Sequence, residues 1–424
     1  MFYRRSFLRQ VAVNVEVAIM ANDQLLIAGW VAGRLPRHCW LTPQYSGRTG
    51  PKQPLILQAE RPDVSRHLFR RGLFFVQTRD FACILPAPRD FKGEDELMLC
   101  FKLGRSVLTL TVQLQGRPQA ARAALLRGKV APTNEPDRDW MRMVESIQAL
   151  CLTDYRLSSS TAVGPLPNKP LVTIIVPLYG PSIFLAAQYA ALANDAGCSS
   201  MEIIYVLDDP PRTKQVSREL VELFSLLGLP YRLLVNEQNI GYGPSINAGA
   251  AVANGTYLLL LNSDVLPCKT GWLEKLLPTM ADPQIGCLGA RLLFANGKIQ
   301  HAGVDLMTSG TPPVTVRYQG QESEFPPALH SGPVDAVTGA CLLIKKAVFE
   351  QVGGLDSGYV IGDFEDIDLC MRCQRLGLQN YYQADVTLWH FERQSFPLHA
   401  LSTGRRWQYN MARFQGIWTK TGLW

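Results

Sequence analysis

YRLLVNEQNIGYGPSINAGAAVANGTYLLLLNSDV, residues 231–265, decides the fold. It contains an apolar strand, a glycine-marked loop, an alanine-rich helix near 244–254 and a second strand. That second strand, TYLLLLNSDV at 256–265, stays apolar until it meets Asn262-Ser263-Asp264. Strands without period-two alternation are buried on both faces. Strand, helix, strand in this order predicts parallel pairing through a crossover. The same rhythm runs upstream. LVTIIVPLY (171–179) leads into a helix through 182–196, and MEIIYVLDD (201–209) into a helix through 213–228. In such α/β sheets ligands bind at the carboxyl ends of the strands. The conspicuous polar groups lie there: Pro177-Leu178-Tyr179, Asp208-Asp209, Asn236 to Asn239, and Asn262 with Asp264.

Several of these carry chemistry. On an extended chain, residues i and i+2 point the same way, so Asn262 and Asp264 could share one ion. Carboxylate and carbonyl oxygens suit Mg²⁺ or Mn²⁺, which commonly hold phosphates. A polar turn is the plain alternative. Asn239-Ile240-Gly241-Tyr242-Gly243, with Asn247 beyond it, could cradle a pyrophosphate at a helix start. The third glycine of a dinucleotide fingerprint is missing, since Ile246 stands there, and the segment follows the third strand. A Rossmann dehydrogenase is therefore not expected. Asp208-Asp209 could accept hydrogen bonds from a base or ribose, or cap a turn. Gly362-Asp363-Phe364-Glu365-Asp366-Ile367-Asp368 packs four acids into six positions ahead of an amphipathic helix. Acids suit a helix start, but their mutual repulsion also favours a cation or a proton-transfer role. Trp389-His390-Phe391 follows a probable strand, so His390 is a candidate cation or phosphate contact.

The chain has 424 residues, enough for about two or three domains. Its net charge of +6 comes without a dense basic stripe interleaved with aromatics, so nucleic acid is not an expected partner. Ten cysteines with Cys370-x-x-Cys373 as the close pair form neither a disulfide framework nor a zinc site, and read as packing thiols. There is no apolar h-region in MFYRRSFLRQ and no apolar run of about 18 residues. The expectation is a cytoplasmic protein, with peripheral contact at the inner face of the cell membrane left open.

Residues 11–19 and 106–115 alternate at period two, and shorter strand candidates lie near 25–32, 55–59, 73–77 and 97–103. This predicts an all-β, sandwich-like domain over 1–116. Trp30, His38, Trp40 and His67 are read as packing or surface residues rather than a sugar platform. Residues 117–170 read as a helical connector (119–128 and 137–151) followed by a Ser/Pro/Gly-rich linker. The α/β domain spans 171–400. The tail at 401–424, with Arg405, Arg406, Arg413 and several aromatics, reads as a helix that covers the core or touches a membrane.

Taken together, IIVPLY, IIYVLDD, NIGYGPSINAGAAVANGTYLLLLNSDV, LFANGKIQHAGV, VTGACLLIKKAVFEQVGGLD, EDIDLCMR and the His390 segment resemble, in order, a family 2 glycosyltransferase with a GT-A fold. The likeness covers about 171–400 and is greatest to the rhamnosyltransferase-like group of bacterial surface polysaccharide assembly. Residues 1–116, with GWV at 29–31 and ERPDV at 60–64, resemble more weakly a β-rich module found ahead of such transferases.

The resemblance implies a Rossmann-like mixed sheet with helices on both faces. It implies inverting transfer of a hexosyl or deoxyhexosyl group from a nucleotide-sugar donor to a saccharide or lipid-linked saccharide. Asn262-x-Asp264 takes the position of the family's Asp-x-Asp, so Asp264, Asn262 and His390 would hold Mn²⁺ or Mg²⁺. Asn262 departs from the acidic pattern, and a neutral amide binds metal less strongly. Donor contacts would come from Pro177, Tyr179, Asp208, Asp209, Asn239, Gly241, Asn247 and Ser263. Asp366 would be the catalytic base, with Glu365 the second choice. Residues 1–116 could bind acceptor or mediate oligomer formation. A sugar nucleotidyltransferase, or a carbohydrate-binding scaffold with a degenerate site, remains the alternative.

Overall fold

The structure, a computed structural model, describes residues 2–6, 11–21, 24–33, 39–45, 48–55, 57–60, 77–86, 97–103, 106–114, 117–126, 138–153, 155–195, 197, 200–307, 313–391 and 404–419. The chain divides into two units: Met1–Asp154 with Ser402–Tyr409, and Tyr155–Leu401 with Asn410–Trp424.

The first unit contains two five-stranded antiparallel sheets. One runs in the order Phe2–Ser6, Val11–Ala21, Gln24–Gly33, Gln77–Pro86, Leu57–Glu60. The other runs Ser106–Val112, Leu97–Leu103, Cys39–Tyr45, Arg48–Thr49, with Gln53–Pro54 also paired to Cys39–Tyr45. Alternate residues of both sheets enter one core, among them Val13, Leu25, Leu41, Leu99 and Leu110. Phe81 meets Phe101 edge to face at 5.6 Å. That is a sandwich. Trp30 is buried, and Lys52 lies over the Trp40 ring at 4.2 Å. His38, Arg61–Val64, His67 and residues 73–76 of the strand candidate at 73–77 lie outside the described residues.

Several strands had no sequence signal, among them two long ones. Cys39–Tyr45 carries Pro43 within it, and Gln77–Pro86 buries Asp80 on the face opposite Phe81, Cys83 and Leu85, so both of its faces are covered and the polar-apolar alternation is lost. The helices Pro118–Leu126 and Arg138–Thr153 are present but form no separate connector. Their apolar stripes, including Leu125, Trp140, Met143 and Ile147, are buried within the first unit, where Arg122 donates to Gln148 at 2.8 Å.

The second unit is built on one mixed sheet. Its order is Leu157–Val163, Tyr231–Asn236, Met201–Leu207, Val172–Leu178, Tyr257–Leu261, Cys341–Lys345, Ile285–Leu293, Gln379–His390, Val265–Pro267. The four strands from Tyr231–Asn236 to Tyr257–Leu261 pair in parallel, as the sequence predicts. Every residue of Met201–Leu207 is buried, so both faces of the sheet are covered. Cys341–Lys345 enters antiparallel on both sides. The first part of the stretch expected as a linker is instead the edge strand Leu157–Val163, antiparallel to Tyr231–Asn236. An exposed, Ser-rich strand pairs through its backbone and leaves little side-chain pattern to read.

Close packing sets the helix that carries the glycine loop. Tyr242–Val252 lies so near the sheet that a Cβ on Gly249 would stand 2.6 Å from Ile175 Cγ2. The C-terminal segment forms the helix Arg405–Trp418. In the second unit its Phe414 and Trp418 are fully buried, which favours the core-packing reading of the tail. Among the described residues the cysteines are free thiols, with Cys287 Sγ 3.7 Å from Cys373 Sγ in the core. Among the described residues no helix is long and apolar enough to cross a membrane.

Candidate functional site

The carboxyl ends of the parallel strands converge on one loop system. Asp208, 4% exposed, organises it. Its Oδ1 accepts from Asn236 Nδ2 and the Ile240 N–H, both at 2.8 Å, and its Oδ2 from Asn239 Nδ2 at 2.9 Å and the Gly241 N–H at 2.8 Å. A carboxylate offers about four lone-pair sites, and these donors occupy them. Asp208 therefore folds the Asn239–Gly241 loop, and Asn239 works within that same cluster. Gly241 has φ of +99°, and a Cβ there would meet Ile361 Cα at 2.9 Å, so only glycine fits. Asp209 is half-buried and accepts the Gly180 N–H at 3.2 Å. Tyr179 is 43% exposed at the end of the opening strand, just after the half-buried Pro177. Asn247 lies apart from this cluster. Its amide donates to Leu355 O at 2.8 Å and accepts the Leu355 N–H at 2.9 Å, clamping the loop after Gly353-Gly354.

Asn262-Ser263-Asp264 departs from the extended geometry assumed from spacing. It is a tight turn, closed by Val265 N–H donating to Asn262 O at 3.1 Å. Gln188 pins it from the facing helix, donating Nε2 to Asn262 O at 2.7 Å and Val265 O at 2.8 Å. All three residues of the turn are half-buried, yet Asn262 Oδ1 is sealed from solvent and has no hydrogen-bond partner. Strand pairing sets Val265 opposite His390, which brings His390 Nε2 to 3.4 Å from Asp264 Oδ1. The other ring nitrogen, Nδ1, faces Gln300 Oε1 at 3.3 Å. With Nδ1–H donating to that oxygen, the Nε2 lone pair faces a carboxylate oxygen. In that tautomer a cation would satisfy both atoms, and Asn262 Oδ1, two residues from Asp264 in the same turn, is a further oxygen without a partner. Among the described residues no three carboxylate, imidazole or thiolate side chains form a complete metal shell. An ion held here would keep positions for other oxygen ligands.

The acid-rich segment divides its four carboxylates. Asp363 is exposed, at the start of the helix Glu365–Arg375. Asp368 is 2% exposed and structural: it accepts from Arg372 Nε at 2.8 Å and from Trp418 Nε1 at 2.9 Å. Glu365 is buried. Asp366 alone combines partial exposure with a perturbed carboxyl. Burial pushes its pKa above the ordinary 3.8, opposed by the N–H groups of Gly339 (2.7 Å to Oδ2) and Ile367 (2.8 Å to Oδ1) and by the Thr338 hydroxyl. The turn just before the helix holds Ile361, Asp363 and Phe364 at positive φ of 65°, 103° and 75°. Such a run of left-handed non-glycine residues is costly and is retained where surrounding structure fixes it.

Thr338–Ala340 joins the two ends of the site. Ala340 O accepts the Asn262 N–H at 3.0 Å, while the Gly339 N–H holds Asp366. Thr338 N–H donates to His301 Nε2 at 3.2 Å. His301 is buried, and burial together with neighbouring His390 lowers its pKa to about 3, so it stays neutral. Gln188, His301, Thr338 and Gly339 had no assigned role from sequence. The quoted segments LFANGKIQHAGV and VTGACLLIKK contain the last three, but nothing in a one-dimensional pattern couples them to Asp366.

Residues 167–410 match the model of the family described as Glycosyltransferase like family 2. The chain is 30% identical over 249 residues to the uncharacterized protein y4gI of Sinorhizobium fredii, covering 56% of this chain and 26% of that protein. It is 29% identical over 258 residues to the O-antigen biosynthesis protein RfbC of Myxococcus xanthus, covering 57% and 19%. It is 26% identical over 189 residues to the N-acetylglucosaminyl-diphospho-decaprenol L-rhamnosyltransferase of Mycobacterium tuberculosis, covering 39% and 60%. The chain thus spans about a quarter or less of the length of the first two relatives.

Proposed function

The chain belongs to the glycosyltransferase-like family 2 and has its GT-A fold, and from that premise we propose that it is an inverting glycosyltransferase of polysaccharide biosynthesis. The donor is a nucleotide-diphosphate sugar, and the acceptor is a hydroxyl of a saccharide or lipid-linked saccharide. One observation carries the reading: Asp366 is a partly exposed carboxylate of raised pKa, tied through Gly339 and Ala340 to the Asn262–Asp264 turn.

The roles follow from chemistry. Asp366 accepts the proton of the acceptor hydroxyl as that oxygen attacks the anomeric carbon. Its raised pKa makes it a better base than an ordinary carboxylate. A single base and a single displacement invert the anomeric centre, unlike the paired carboxylates of glycoside hydrolysis. Asp264, Asn262 and His390 would hold Mn²⁺ or Mg²⁺, which would neutralise charge on the leaving diphosphate. Asp209, Tyr179 and Pro177 face the nucleoside side, Ser263 and the Gly241 loop the diphosphate, while Asp208, Asn239 and Asn247 shape the loops around them. A lipid-linked acceptor would bring the protein to the inner face of the membrane, where a net charge of +6 suits anionic headgroups. Incubation with UDP-, GDP- and dTDP-sugars, Mn²⁺ and candidate acceptors tests the proposal. Nucleoside diphosphate release from one donor is expected. Pyrophosphate release from a nucleoside triphosphate and a sugar phosphate would instead mark a nucleotidyltransferase.

A further inference from the structure

We propose that Tyr242 is a positioning residue for the Asp366 carboxylate, acting through the backbone of Gly339. The proposal rests on the reading of Asp366 as the base. Tyr242 Oη donates to Gly339 O at 2.7 Å, and the Gly339 N–H donates to Asp366 Oδ2 at 2.7 Å. Glycine has the most freely rotating backbone of any residue. Fixing its carbonyl removes the rotation that would swing its N–H off the carboxylate. A side chain is excluded here, because a Cβ would stand 2.8 Å from Tyr242 Oη and 3.3 Å from Asp366 Cβ. The phenol and the Asp366 Cβ both pack on the bare Cα.

Tyr242 also grips the other side of the base. Its own N–H donates to Ile361 O at 2.6 Å, at the start of the left-handed turn that leads into the Asp366 helix. The Ile367 N–H bond to Asp366 Oδ1 arises within the helix itself, so the Gly339 N–H is the backbone donor that fixes the carboxylate from outside it. The titratable neighbours in this corner are Glu365, Asp366 and Cys341, and with burial they raise the Tyr242 phenol well above its ordinary value. Tyr242 therefore remains a donor at any working pH.

Tyr242→Phe keeps the ring and removes only the hydroxyl. With the donor selected by the nucleotide-sugar panel, kcat should fall by about tenfold or more, as for other small misplacements of a catalytic group. Donor KM should stay near its wild-type value. Losing an N–H donor to the ionised form raises a carboxyl pKa, so the acid limb of the kcat/KM profile should move to higher pH. Gly339→Ala, which pushes on both partners, should move the limb the same way. Wild-type kcat with an unmoved limb in Tyr242→Phe would overturn the inference. So would a lower melting temperature with the limb unmoved, the mark of a purely structural tyrosine. Asp366→Asn separates the two claims. An active Asp366→Asn enzyme removes the base and this inference with it. An inactive one beside a wild-type-like Tyr242→Phe removes the inference alone.

Discussion

Asp366 and Asp264 are both half-buried, but their surroundings prepare them for different work. Asp366 is pushed above 3.8 by burial despite two backbone N–H donors. A base works only when deprotonated, so activity should fall as pH drops through this raised value, and the acid limb of kcat/KM should lie above 3.8. The stability sign runs the other way. The folded chain binds this proton more tightly than the unfolded chain, so the group's contribution to stability declines as pH rises from 3.8 towards the folded value. Asp264 is instead set against His390 Nε2 at 3.4 Å, in the turn that holds the orphaned Asn262 Oδ1. Asp264→Ala should weaken donor binding by about tenfold or more and flatten its dependence on Mn²⁺ concentration. Titration of a nucleotide-sugar with and without metal checks this, and unchanged affinity would argue against a cation here. At this scale the sequence was half legible. Residue types at strand ends marked the site, but not the partners that consume them. Asp208 meets its loop from 31 residues away in Asn239, and Asn247 meets Leu355 from 108 residues away.

The helix Glu365–Arg375, which carries the proposed base, is held by elements that its sequence does not announce. On its inner turn Asp368 takes the indole N–H of Trp418, and Arg375 lies over the same ring at 4.2 Å. Phe414 packs on Phe364 at 5.4 Å, within the strained turn that precedes Asp366. Trp418 is fully buried, and truncating such a side chain costs about 3–5 kcal/mol. Trp418→Ala should lose that much stability in equilibrium denaturation, and activity should fall with it as the Asp366 helix loosens. Elements with a strong period were readable in advance. Met201–Leu207 is buried along its whole length, and Ser106–Val112 alternates buried and exposed. The missed elements are those whose side chains carry no periodic signal. Leu157–Val163 is exposed along most of its length, and Cys39–Tyr45 is interrupted by Pro43.

For the whole molecule, two units have separate cores. The sandwich has a compact β core, while in the second unit the strand ends carry the loops proposed to hold donor and cation, and the helix Glu365–Arg375 carries the proposed base. The alternation of strand and helix made the second unit's parallel half legible, because each crossover is local in sequence. Its antiparallel half depends on pairings such as Val265 with His390, which no local pattern encodes. The central claim is that the Asn262–Asp264 turn holds the donor while Asp366, about a hundred residues later, makes the bond possible. Asp366→Asn tests it most directly, with sugar transfer and donor binding measured on the same preparation. The account predicts transfer reduced by about a hundredfold or more with donor affinity nearly intact. Transfer at the wild-type rate would contradict it.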